Sequence, residues 1–76
     1  LNAPSSSRAR DWFDTVEDFR QCCLDAVSLA QSEGAQEFAG QMMNDANTRG
    51  LDTFVSERQI KWLSHLADRV TPKRKS

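Results

Sequence analysis

Apolar residues recur at steps of three and four in three separate stretches of this 76-residue chain. No stretch alternates with the two-residue period of a strand, and the one β-leaning run, Thr53 to Val55, is too short to count. The best-specified stretch runs from Val55 to Val70. Ser56 is a good N-cap, and Gln59 stands where its side chain can reach back to the cap's own N–H, a Ser-x-x-Gln capping box. Val55 and Ile60 have the spacing of a hydrophobic staple, which fixes how the chain enters the helix. Ile60, Leu63, Ala67 and Val70 share one face, and Pro72 supplies a stop.

A longer stripe precedes it. Trp12, Val16, Phe19, Cys23, Ala26 and Ala30 predict a first helix over about 12–31. Asp14-x-x-Glu17 reads as a carboxylate version of the capping box at its start. Cys22, Leu24, Val27 and Leu29 widen the stripe toward its end, so that half is expected to be the more deeply buried. Ser32-Glu33-Gly34 interrupts the pattern, and Phe38, Ala39, Met42, Met43 and Ala46 predict a second helix over about 35–48. Gly40 in its middle costs about 1 kcal/mol relative to alanine, so either the helix is weak or another helix comes close there. Gly50 is placed to take the left-handed conformation that ends a helix.

These patterns predict an all-α fold, a small three-helix bundle with short loops. Residues 1–10, with Pro4, three serines and no periodicity, read as a flexible linker. The bundle is expected over 11–71, its third helix over 57–70, and a basic tail at 72–76. A chain this short holds one domain at most, and its first residue, Leu1, suggests a domain excised from a larger protein.

The net charge of −1 conceals an asymmetry. Residues 11–54 hold nine acids against two bases, whereas residues 55–76 hold two acids against six bases. The outer side of the third helix therefore carries a basic ridge, Arg58, Lys61, His65 and Arg69, with Trp62 between ridge and core. Lys73, Arg74 and Lys75 extend the basic character into the tail. These eight residues form the candidate binding surface. A ridge of this kind is also what any solvated helix face displays, and a Trp at its edge often does no more than cover the core.

Cys22 and Cys23 are adjacent and cannot pair with each other in a helix. With a single distant histidine they fall short of a zinc site, so no metal and no cofactor is expected, and a reducing, cytoplasmic compartment fits two free thiols, one buried and one half-exposed. No glycine-rich phosphate loop precedes a helix, and no carboxylate pair or Cys–His pair is placed for catalysis, which predicts a chain without enzymatic activity. No apolar run is long enough to span a membrane.

Residues 54–69, and in particular Ser56, Arg58, Gln59, Leu63 and Leu66, resemble short helical segments of phage- and plasmid-type DNA replication and recombination proteins. The resemblance implies an accessory helical module attached to a nucleic-acid enzyme. The same residues are those a well-capped helix asks for. Together the patterns predict a non-catalytic docking module that binds a protein partner. The alternative is an accessory nucleic-acid-binding domain that uses the third helix and the tail, and self-association is a further expectation if the apolar stripes exceed what three short helices can cover.

Overall fold

Each helix begins where a hydroxyl can cap it. The computed structural model describes residues 7–74 and contains three α-helices, α1 at Val16–Leu29, α2 at Glu33–Arg49 and α3 at Glu57–Leu66. Their N-caps are Thr15, Ser32 and Ser56, whose side-chain oxygens accept from the amides of Asp18, Ala35 and Gln59. The fold is an all-α three-helix bundle. Among the described residues there is no strand, only an isolated antiparallel bridge between Arg8 and Phe54.

The core is built from one stripe of each helix. Phe19, Cys22, Cys23 and Ala26 come from α1, Ala39, Met42 and Ala46 from α2, and Ile60 and Leu63 from α3, closed by Ala67. Phe13 stacks on Phe19 with ring centroids 5.3 Å apart. Small residues dominate α2's contribution, which lets its backbone lie close to α1. In the C-terminal half of α1 Cys22, Cys23 and Ala26 are fully buried, whereas Leu24 and Leu29, which widen the stripe, are about half exposed. Leu24 lines a shallow groove with Met43 of α2.

The start of α1 differs from expectation. Thr15, not Asp14, is the cap, and Trp12 lies ahead of the helix at the end of a 3-10 turn, Ala9–Asp11. Nor is the segment before it wholly a linker. Residues 1–6 lie outside the described residues, but Ser7 and Ala9 are buried. The Ala9 amide donates to the Thr53 carbonyl at 2.8 Å, and the Val55 amide donates to the Ser7 carbonyl at 2.9 Å. The Ser7 hydroxyl donates to the Val55 carbonyl, and Trp12 Nε1 donates to the same carbonyl at 3.1 Å. The chain ahead of α1 thus folds back as a clasp along the residues that lead into α3.

A second 3-10 turn, Gly50–Asp52, joins α2 to that segment. Gly50 has φ +59 and ψ −133, a region that only glycine enters without strain, and a Cβ there would lie 3.4 Å from Val16 Cγ2. Thr53 is buried, and its hydroxyl donates to the Gly50 and Asp45 carbonyls at 2.8 and 3.1 Å. Gly40 has nothing within 4 Å of where a Cβ would stand, so no neighbouring helix explains it.

The end of α3 is set by Asp68, not by Pro72. Asp68 has φ +57. Its amide donates to the His65 carbonyl at 3.1 Å, and the Arg69 amide donates to the Ser64 carbonyl at 2.9 Å. These two bonds are the paired closure of a Schellman motif, with an aspartate where glycine is usual. The helix therefore stops well short of residue 70, and Val70, expected in the core stripe, is 92% exposed.

Candidate functional site

α3 presents its outer side as a consequence of its cap. The reciprocal bonds of the box, Gln59 N–H to Ser56 Oγ at 3.2 Å and Ser56 N–H to Gln59 Oε1 at 3.0 Å, fix the first turn. With Val55, Ile60 and Leu63 fully buried, the helix can sit in one rotation only, and Arg58, Lys61 and His65 then lie exposed. Lys61 Nζ stands 3.7 Å from Glu57 Oε2 one turn back. Both side chains are largely in water, so the pairing contributes little.

Trp62 sits at the edge of this side and is 44% exposed. Its ring stacks on Phe38 of α2, centroids 4.2 Å apart and planes 12° from parallel. Phe38, partly buried against the core, is thus also half of an aromatic pair that reaches the surface. Arg58 and His65 lie four residues before and three after Trp62, hence on the same side of the helix. The result is an aromatic surface already held in place, with Arg58 and His65 alongside it.

Arg69 does not join the ridge. Past the left-handed Asp68 the chain turns, and the Arg69 guanidinium reaches Asp25 on α1 at 3.0 Å. Lys73 and Arg74 come together with Lys61 around a groove of about 340 Å³ that Trp12, Glu57, Thr71 and Pro72 also line. Lys75 lies outside the described residues. Of the eight candidate residues, then, Arg58, Lys61, Trp62 and His65 share the outer side of α3, Lys61 meets Lys73 and Arg74 at the groove, and Arg69 is drawn away.

At the other end, Arg8 lies over the exposed Phe54 ring, 4.7 Å from its centroid, and stands 3.8 Å from Asp52. Arg10 also pairs with Asp52. Both arginines remain exposed. Through Asp52 they also help to fasten the clasp to the second 3-10 turn.

The cysteines are both buried, where one was expected half-exposed. Burial pushes the Cys22 thiol up, partly offset by the Arg69 cation and reinforced by Asp25. Burial, then Cys22 and Asp45 of α2, push the Cys23 thiol up to about 12. The adjacent pair thus straddles the α1 stripe, one thiol sensing the end of α3 and the other sensing α2. Neither is a poised nucleophile. Among the described residues no group of three His, Cys, Asp or Glu side chains is placed to hold a metal ion, and no helix is long and apolar enough to cross a membrane.

Two features escaped the sequence. Phe38 carried no local sign that it would stack on Trp62 as well as pack against the core. Ser64 lies four residues after Ile60, at the edge of the α3 stripe, and that spacing was the one signal that its hydroxyl would be buried.

No protein-family model, no curated protein and no solved structure matches this chain.

Proposed function

We propose that the chain is a non-catalytic interaction module that docks a segment of a protein partner on the outer side of α3. The observation that carries this reading is the Phe38–Trp62 stack, half exposed and held at 4.2 Å. A rigid aromatic surface loses little freedom on binding, and Trp and Arg are the residues most often found at the energetic centre of protein interfaces. Arg58, Lys61 and His65 beside it favour a segment with acidic residues around an aromatic or aliphatic anchor.

Panning a peptide display library on the immobilised chain tests this. Selected sequences should converge on an acidic segment with one large apolar residue. Trp62→Ala, with its helical circular dichroism unchanged, should weaken their binding by at least about tenfold, while Leu24→Ser on the far side of α1 leaves it intact. Peptides that bind Trp62→Ala as tightly as the parent chain would remove the reading.

The groove shared by Lys61, Lys73 and Arg74 supports a second reading, a nucleic-acid-binding accessory domain in which these cations meet phosphates and Trp62 stacks a base. Titration with labelled single- and double-stranded oligonucleotides decides it. Affinity should fall steeply with salt and be lost in a Lys61→Glu, Lys73→Glu double variant. Absence of binding at low ionic strength ends this second reading.

A further inference from the structure

Of the two prolines in the chain, only Pro72 follows a hydroxyl residue, Thr71. Lys73 and Arg74 come directly after it. A proline disfavours helical geometry in the residue before it and holds that residue extended. The chain is irregular here, since α3 has ended at Leu66 and no helix or strand covers 69–74. Thr71 is partly exposed, and its hydroxyl makes no hydrogen bond among the described residues. An extended backbone with an accessible hydroxyl, followed by proline and then bases, is the form in which a proline-directed protein kinase accepts a substrate.

The surroundings suit the group that such an enzyme adds. The tail runs back beside the first half of α3, so that Thr71 shares the groove of about 340 Å³ with Lys61, Lys73 and Arg74. One acid, Glu57, lines it too, 3.7 Å from Lys61. With that pair cancelled, Lys73 and Arg74 remain, and neither has an ion-pair partner among the described residues. The groove is therefore basic whether or not the pair is counted. It lies by Glu57 and Lys61, away from the negative end of α3, so the helix dipole does not oppose an anion there. A phosphothreonine carries a charge of about −1.5 to −2 and three acceptor oxygens. Beside these cations it forms charge-assisted hydrogen bonds that the free hydroxyl cannot. We propose that Thr71 is a phosphorylation site and that its phosphate is held by Lys61, Lys73 and Arg74. A protein kinase transfers the γ-phosphoryl group of ATP to Thr71 Oγ1, the hydroxyl proton passes to the kinase's base, and ADP leaves. The phosphate then occupies the cations that a nucleic acid needs, which makes the modification a switch against that ligand. Neither Trp62 nor Phe38 takes part, so this inference and the docking reading stand or fall separately.

The test uses the intact chain, ATP and a proline-directed protein kinase, with a blocked peptide of residues 69–74 as control. Mass spectrometry should place a phosphoryl group on Thr71 of the folded chain, and Pro72→Ala should lose it. Phosphorus resonance then follows the second ionisation of the phosphate against pH. It should lie at least about half a unit lower in the chain than in the peptide, which has Lys73 and Arg74 but not Lys61. Lys61→Gln should bring it back toward the peptide, and Glu57→Gln should lower it further. The proposal is overturned if the kinase leaves Thr71 of the chain unmodified, if chain and peptide ionise alike, or if Lys61→Gln changes nothing.

Discussion

Trp12 and Val55, 43 positions apart, are joined by a hydrogen bond of 3.1 Å from the indole N–H to the main-chain carbonyl. Ser7 completes the arrangement, since its hydroxyl donates to the same carbonyl and its oxygen lies 3.3 Å from the indole nitrogen. The bond ties the turn before α1 to the residue that seats α3. Replacing Trp12 by Phe keeps the ring in place and deletes the donor. We expect a loss of about 1–2 kcal/mol in urea denaturation. A chain beginning at Asp11 should lose more, because it uncovers Val55 and leaves the Val55 amide and the Thr53 carbonyl without their partners.

Asp68 occupies a left-handed position, φ +57, at the C-terminal end of α3, where its negative charge also opposes the helix dipole. Asp68→Gly relieves both and should stabilise by about 0.5–1 kcal/mol, with Asp68→Asn giving part of that gain. Asp68→Val should destabilise by at least about 1 kcal/mol, since a β-branched residue tolerates this conformation worst. Thermal melts of the three variants check the order.

Gly40 lies in the interior of α2 with open space where a Cβ would be. Gly40→Ala should therefore stabilise by about 1 kcal/mol. For a domain of this size that raises the melting temperature by roughly 4–8 °C. A fall instead would mean that α2 needs the glycine for a reason other than space.

The thiols give a pH dependence of known sign. Burial raises Cys23 from 9.0 to about 12 in the folded chain, so the unfolded chain loses this proton first as pH rises. The stabilisation is complete below pH 9 and is lost progressively between 9 and about 12. Cys22, also raised, adds to the same trend. Denaturation midpoints measured across this window should fall, and fall less in Cys23→Ala. At neutral pH both thiols should react with a disulfide reagent only as fast as the chain opens.

The sequence exposed what is local and hid what is not. Ser56 and Gln59 announce the start of α3 because a capping box is written within four residues. The apolar steps of Ile60, Leu63 and Ala67 announce its buried face for the same reason. Asp68 hid the end, because nothing in Ala67-Asp68-Arg69 marks a residue about to turn left-handed, and Pro72 offered a plainer stop. That one dihedral moved Arg69 off the ridge and onto Asp25, and moved Val70 out of the core. Ser7 and Ala9 gave no sign at all. Serine, arginine and alanine have no periodicity, and their order comes from backbone bonds to Thr53 and Val55 that no spacing encodes. Of the candidate surface, Arg58, Lys61, Trp62 and His65 could be placed by helical angle, whereas the Phe38 partner of Trp62 required the packing of two helices.

The contact between Ser7 and Val55 also makes the molecule a ring. Its two sides meet across 48 positions, so α1, α2 and their connection form one loop closed by a few backbone bonds and an indole. Closing a loop of that length carries an entropy cost that a helical hairpin does not meet until its last step. The α1–α2 hairpin can form from neighbouring contacts as soon as it exists. α3 packs on α1 through Ile60 and Leu63, and the stretch before α1 holds Val55 at its entry. In hydrogen exchange the Val55 amide should therefore open with α3 as one unit, ahead of the hairpin.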